Sequence, residues 1–224
     1  MEEIMSENLF GFEIEKKWDY ENAFYITSNS KRIAKILAHY ELYKSIIGLP
    51  GQIVECGVFK GISLIRYAAF REILENTYSR KIIGFDAFGD FPQETSKKDK
   101  SFPEHHDSIA GKGIDIDELY KVFQYKNNEN IELVKGDIIN TVPEYSSEHP
   151  ELKIALLHID VDIYEPTEII LKYLYDRVVK GGLVVFDDYA LIDGETKAID
   201  EYFQKHDVLF KKNTFLEKPT YIRK

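Results

Sequence analysis

Two stretches near the C-terminal end stand out from the polar background: Ala155-Leu156-Leu157-His158-Ile159-Asp160-Val161-Asp162 and Gly181-Gly182-Leu183-Val184-Val185-Phe186-Asp187-Asp188. Each is a short apolar run with β-branched residues that ends in acids, the pattern of a buried strand. Between them Ile169, Ile170, Tyr173, Leu174 and Val178 recur at helical spacing and predict a helix over 164–179. Pro166 suits its first turn, where a missing N–H is harmless. Strand, helix, strand is a βαβ unit, so its strands run parallel.

The rest of the chain extends this unit. Ile33, Ile36, Leu37, Tyr40, Tyr43 and Ile47 share one helical stripe over 30–47, after the caps Ser28, Asn29 and Ser30 and before a Pro50-Gly51 turn. Gln52 to Cys56 predicts a first strand, Gly57-Val58-Phe59-Lys60-Gly61 a glycine turn, and 62–77 a helix. Lys81 to Asp86 predicts a second strand, 116–125 a helix, Ile131 to Val134 a third strand and 141–147 a short helix. A helix over 198–205 and a hairpin of 208–211 with 220–223 close the chain. Phe10, Phe12, Trp18, Tyr20, Phe24 and Tyr25 make residues 1–29 too apolar for a disordered tail. They are expected to form an N-terminal arm that docks on the body or on a second subunit of a homo-oligomer. Residues 30–224 are expected to form one α/β domain.

Parallel neighbours end on the same edge of a sheet, about 4.8 Å apart if adjacent, and open α/β sheets bind ligands at that edge. Asp160, Asp187 and Asp188 are therefore expected to converge. Packed carboxylates repel unless a cation joins them, and an all-oxygen set suits Mg²⁺ better than zinc. The competing reading, solvated strand ends or helix N-caps, stays open for Asp162. At the first strand, glycines let the backbone approach a ligand and the helix start offers N–H groups, although a full G-x-G-x-x-G is absent. Glu55, inside a buried strand, either caps neighbouring backbone or orients the glycine loop or a ligand. Asp86 ends the second strand, where such folds place an acid that accepts ribose hydroxyls. Residues 87–113 break the pattern with Gly89, Pro92, Pro103, Gly111 and Gly113 and predict a lid. His105-His106-Asp107 within it reads equally as a solvated loop or as functional.

At 224 residues, with 44% hydrophobic and 30% charged residues, the composition is that of one globular domain. No apolar run approaches the roughly 20 residues of a membrane span, and Met1-Glu2-Glu3 lacks a signal-peptide pattern. Cys56 is the single cysteine, so no intrachain disulfide forms and a cytoplasmic setting is expected. A net charge of −10 argues against nucleic acid as the main partner and suits a metal ion or a sulfonium.

Four motifs together carry a resemblance. They are Val54-Glu55-Cys56-Gly57-Val58-Phe59-Lys60-Gly61, Phe85-Asp86-Ala87-Phe88-Gly89-Asp90-Phe91-Pro92, His158-Ile159-Asp160-Val161-Asp162-Ile163-Tyr164-Glu165-Pro166-Thr167 and Phe186-Asp187-Asp188-Tyr189. The chain from about Ser30 onward resembles the macrocin O-methyltransferase family, class I enzymes that use S-adenosylmethionine (SAM). The resemblance implies a Rossmann-like sheet of seven strands, order 3-2-1-4-5-7-6, the last antiparallel, with helices on both faces. It implies that Glu55, Gly57 and Gly61 belong to the SAM turn, that Asp86 binds the ribose and that Asp137 lies near the adenine. It implies Asp160, Asp187 and Asp188 as Mg²⁺ ligands, with Asp160 also counted as catalytic. The family's proposed catalytic His lies in the mobile segment, which makes His105 and His106 candidates by location. Residues 189–194 correspond to a loop that varies with substrate.

The expected reaction is methyl transfer to a sugar hydroxyl of a glycosylated or nucleotide-linked metabolite, with a catechol-like acceptor as the close alternative. A phosphoryl-transfer enzyme is a rival through Asp160-Val161-Asp162, but that motif normally follows the first core strand and here three strands precede it. A dehydrogenase is disfavoured by the missing glycine fingerprint. A non-catalytic SAM- or metal-binding module is the remaining rival.

Overall fold

A computed structural model of the chain describes residues 8–89 and 111–224. Seven strands build its main sheet: β1 Gln52–Cys56, β2 Ile82–Asp86, β3 Ile131–Lys135, β4 Ile154–Ile159, β5 Val178–Phe186, β6 Lys211–Lys212 and β7 Thr220–Arg223. Their order is β3-β2-β1-β4-β5-β7-β6. β1 to β5 run parallel, and β7 is antiparallel to both β5 and β6. This is the expected arrangement.

The central strands explain their own composition. β4 is buried at every residue, because helices cover both faces of a parallel sheet and leave no polar side. Successive side chains still point to opposite faces. Val54, Leu157 and Val184 enter a core with Ile138 and Val142 of α5 (Ile138–Glu148), Ile170 of α6 (Tyr164–Leu174) and Ile199 of α7 (Asp193–Phe203). Ile53, Leu156 and Leu183 enter a second core with Leu42 of α2 (Ser30–Lys44), Leu64 of α3 (Ile62–Leu74) and Leu119 of α4 (Ile116–Tyr125). Cys56 is a buried member of the first core.

Several boundaries differ from the sequence expectation. The helix expected over 164–179 stops at Leu174, and a single 3₁₀ turn, Tyr175–Arg177, follows it. Val178 then opens β5 opposite Ile154. Its apolar side chain satisfied both periods, and pairing with β4 decided between them. The strand thus starts three residues before Gly181, where the expected stretch began, and Gly181 and Gly182 lie in its interior. A Cβ on Gly182 would meet the carbonyl oxygens of Val179 at 2.9 Å and Ala155 at 3.0 Å, so the strand is irregular where glycine permits it. The helix expected over 141–147 starts at Ile138, capped by Asp137, and the one expected over 198–205 is Asp193–Phe203.

The N-terminal arm forms a small ribbon, Asn8–Leu9 with Phe12–Glu13, and helix α1, Lys17–Thr27. The ribbon touches α4, but α1 buries none of its residues. Of the expected lid over 87–113, residues 90–110, with His105 and His106, lie outside the described residues. No helix among the described residues is long and apolar enough to cross a membrane.

Candidate active site

Backbone pairing carries the parallel strands up to their acids and then stops. Asp160 N–H donates to the Cys56 carbonyl at 2.9 Å, and Asp187 N–H donates to the Ile159 carbonyl at 3.0 Å. β1, β4 and β5 thus end at one level, and the residues just past them share one edge. Asp160, Asp187 and Asp188 each bring a carboxylate oxygen within 4.8 Å of the others. Asp160 is half-buried, and Asp187 and Asp188 are buried.

The electrostatics of this cluster are those of acids pressed together. Burial and the charge of Asp187 push the Asp160 carboxyl well above its ordinary range. Burial would raise Asp187 too, but His158, Lys35 and Lys218 hold it well below. A donor set of three convergent carboxylates under mutual repulsion fits a hard divalent cation, which relieves the repulsion and accepts oxygen ligands. Two further acids join it. Asp162, in the left-handed region at φ 64°, is pushed up to about 7 by burial and by Asp188. Glu195 of α7 is fully buried, accepts the Asp188 N–H at 3.2 Å and is raised well above the carboxylate range by burial and by Asp160 and Asp188. Sequence reasoning missed Glu195, because nothing about Gly194-Glu195-Thr196 separates it from an ordinary first-turn helix acid.

Beneath the cluster lies a buried charge relay. Glu55 on β1 is in register with His158 on β4, and Glu55 Oε1 is 3.0 Å from His158 Nδ1. On the other side His158 Nε2 lies 3.5 Å from Asp187 Oδ1. Burial alone would lower the imidazole, but the nearby carboxylates of Asp187 and Glu55 raise it to about 10. The surrounding carboxylates favour the charged imidazole, and Glu55 Oε1 is engaged with His158. His39 of α2 stacks on Tyr67 and meets His158 edge-on. His39, His158 and Asp187 also converge closely enough for a metal, but proton accounting decides against it. His39 Nδ1 is 3.1 Å from Arg66 Nη1, a group that only donates. Nδ1 must accept, so Nε2 carries the proton and has no lone pair for an ion.

The glycine turn after β1 is fixed from three sides. Gly57 sits at φ 90°, and a Cβ there would lie 1.7 Å from the Asp160 carbonyl oxygen. Only glycine lets β1 pass the end of β4. Gly61, at φ 75°, precedes α3, where a Cβ would meet the Leu119 side chain at 2.6 Å. Asp86 closes the turn: its Oδ2 accepts the N–H groups of Val58 at 2.7 Å and Phe59 at 2.9 Å, and its Oδ1 accepts that of Phe88 at 2.7 Å. Its carboxylate shapes the loop before any ligand arrives. Asp137 caps α5 by accepting the Ile139 N–H at 3.0 Å. By contrast, among the described residues α3 starts without a side-chain cap, which leaves its first N–H groups without a side-chain partner there.

Comparison with known proteins places this geometry in context. The family described as Macrocin-O-methyltransferase (TylF) matches residues 23–224. An 8-demethyl-8-(2,3-dimethoxy-alpha-L-rhamnosyl)-tetracenomycin-C 4'-O-methyltransferase of Streptomyces olivaceus is 26% identical over 168 residues, 72% of this chain and 61% of that protein. Demethyldecarbamoylnovobiocin O-methyltransferase of Streptomyces niveus is 29% identical over 175 residues, 74% of this chain and 63% of that protein. The matched region thus spans less than two thirds of these relatives. The crystal structure of CalS11, a calicheamicin methyltransferase, superposes with a TM-score of 0.76 at 26% identity, covering 92% of this chain and 84% of that one. The apo structure of CalS11 is described as that of a TDP-rhamnose 3'-O-methyltransferase. With the family match running from α1 to the C-terminal residue and the sheet order agreeing, the chain belongs to the macrocin O-methyltransferase family.

Proposed function

We propose that this chain is a SAM-dependent O-methyltransferase that methylates a sugar hydroxyl of a glycosylated or nucleotide-linked metabolite with the help of Mg²⁺. The observation that carries the reading is the adjacency of two features at one sheet edge. One is the glycine turn locked by Gly57 and Asp86, and the other is the convergence of Asp160, Asp187 and Asp188. Family membership and the sugar-methylating names of the relatives support it.

SAM supplies an electrophilic methyl group, and Mg²⁺ supplies a Lewis acid that orients the acceptor oxygens. The chain's own residues do the remainder. The uncapped start of α3 offers N–H groups to the carboxylate end of SAM. Gly57 and Gly61 keep the turn in a shape that only glycine allows, because a Cβ at either would strike Asp160 or Leu119. Asp160, Asp187 and Asp188 would hold the ion, with His158 Nε2 lying 3.5 Å from the inner oxygen of Asp187. An alcohol must lose its proton as it attacks, and a positioned base contributes about 10²–10⁴-fold. Asp162 is a candidate for that role, since its carboxyl lies beside Asp188 at the same edge and is raised to about 7. His105 and His106 lie outside the described residues.

The test is transfer of labelled methyl from SAM to a panel of glycosides, nucleotide sugars and catechols, with EDTA and with restored Mg²⁺. Methylation of a sugar oxygen, abolished by chelation and recovered with Mg²⁺, is the expected result. Activity on catechols alone removes the sugar assignment. Undiminished turnover in chelator removes the metal, and methylation only at nitrogen or carbon removes the reaction.

A further inference from the structure

Two ammonium groups already sit on the acids that would hold a divalent ion. Lys35 of α2 donates to Asp187 Oδ2 at 2.8 Å. Lys218, just before β7, donates to Asp188 Oδ1 at 2.5 Å and lies 3.6 Å from Asp187 Oδ2. Lys218 therefore spans two of the three carboxylates from its own side of the cluster, whereas Lys35 touches one. The Lys218 side chain is also the more open, 37% exposed against 26% for Lys35.

An octahedral Mg²⁺ needs carboxylate oxygens at about 2.1 Å, and Lys218 already bonds Asp188 Oδ1 and lies near Asp187 Oδ2, the two acids such an ion would share. One ammonium gives three directional donors and a single charge; a divalent ion gives twice the charge to the same acids. We infer that a divalent ion enters this cluster by displacing the Lys218 ammonium, while Lys35 stays on Asp187. The inference rests on the metal reading proposed above and adds the group that yields.

The geometry gives the exchange a reach beyond the cluster. Glu217 and Thr220, on either side of Lys218 and Pro219, line a cavity of about 430 Å³ with Tyr189, Leu191 and Phe210. That cavity abuts the loop after Asp188. Release of Lys218 would free a cation in the segment that forms part of its wall.

Lysine reactivity distinguishes displacement from simple electrostatics. The intact chain is labelled with a small amine-acylating reagent across a MgCl₂ titration, and each lysine is quantified by mass spectrometry. Calorimetry of MgCl₂ is run in parallel on the wild type and Lys218→Met. An ion-paired ammonium is protected, so Mg²⁺ should raise Lys218 labelling severalfold and leave Lys35 labelling low. Lys218→Met should bind Mg²⁺ roughly tenfold tighter, having lost its internal competitor. Heat of binding with unchanged or reduced Lys218 labelling overturns the displacement and leaves the metal reading standing. Unchanged or weaker Mg²⁺ binding by Lys218→Met also overturns it. No heat from either protein and no change in labelling removes the metal reading and the displacement together.

Discussion

A carboxylate offers about four lone-pair positions, and Asp86 has committed three of them to the N–H groups of Val58, Phe59 and Phe88. The resemblance implies that Asp86 also accepts ribose hydroxyls, and acceptor capacity remains for that. Within the chain it holds the glycine turn in the form that a ligand meets. Asp86→Asn replaces one acceptor oxygen by a donor facing backbone N–H groups, and is expected to lower SAM affinity on the order of 30-fold. Calorimetry with SAM gives the affinity, and hydrogen exchange at Val58 and Phe59 gives the cause. Faster exchange in the free protein is expected; lost affinity with unchanged exchange would make Asp86 a direct ligand acceptor instead. Glu55 teaches a related lesson. Its position before the glycine turn was legible, but its partner was not, because His158 lies 103 residues away.

At the scale of elements, the entry into β1 depends on a buried ion pair outside the site. Arg80 donates through Nε and Nη2 to the two oxygens of Glu75, at 2.8 and 2.7 Å, and also to the carbonyls of Gly51 and Leu49. Tyr43 of α2 donates to the same Glu75 at 2.6 Å. Three elements, α2, α3 and the turn before β1, are thereby tied together. Burial would raise the Glu75 carboxyl, but the bonds from Arg80 and Tyr43 outweigh it and leave it below its ordinary value. A depressed carboxyl stabilises the fold above its unfolded-state pKa and loses that contribution as pH falls through its folded value. Glu75→Gln leaves Arg80 buried without its counter-charge and is expected to cost about 3 kcal/mol at neutral pH. Urea denaturation should show this gap starting to narrow as pH falls below the ordinary glutamate value of about 4.3 and closing further as it falls through the depressed folded value. A gap that stays constant down to pH 3 would show the charge to be irrelevant.

For the molecule as a whole, the arm and the body are unequal partners. α1 exposes Trp18, Tyr25 and Ile26 and buries nothing, and an 11-residue helix is marginal by itself in water. Removing residues 1–27 should change the unfolding free energy of the monomer by no more than about 0.5 kcal/mol. Denaturation at low protein concentration checks this, and a large loss would show that the arm braces the body.

Sequence patterns determined the strands, the parallel run of the βαβ pair and the edge at which the acids gather, while the full strand order came with the family resemblance. The patterned features follow from short-range signals: apolar runs of strand length, helical spacing between them, and turn glycines. Asp160, Asp187 and Asp188 were legible because a parallel sheet carries its strand ends to one place whatever the loops do. Tertiary structure decided what lay between signals. Val178 fitted a helix as well as a strand until β4 claimed it. Glu195, Lys35 and Lys218 reach the cluster from α7, α2 and the segment before β7, and carry no local mark of it. The protonation of His158 likewise depends on Glu55 and Asp187 from other strand ends. Covalent neighbours set an element's type, but a charge in a site is set by groups that only folding brings within a few ångströms.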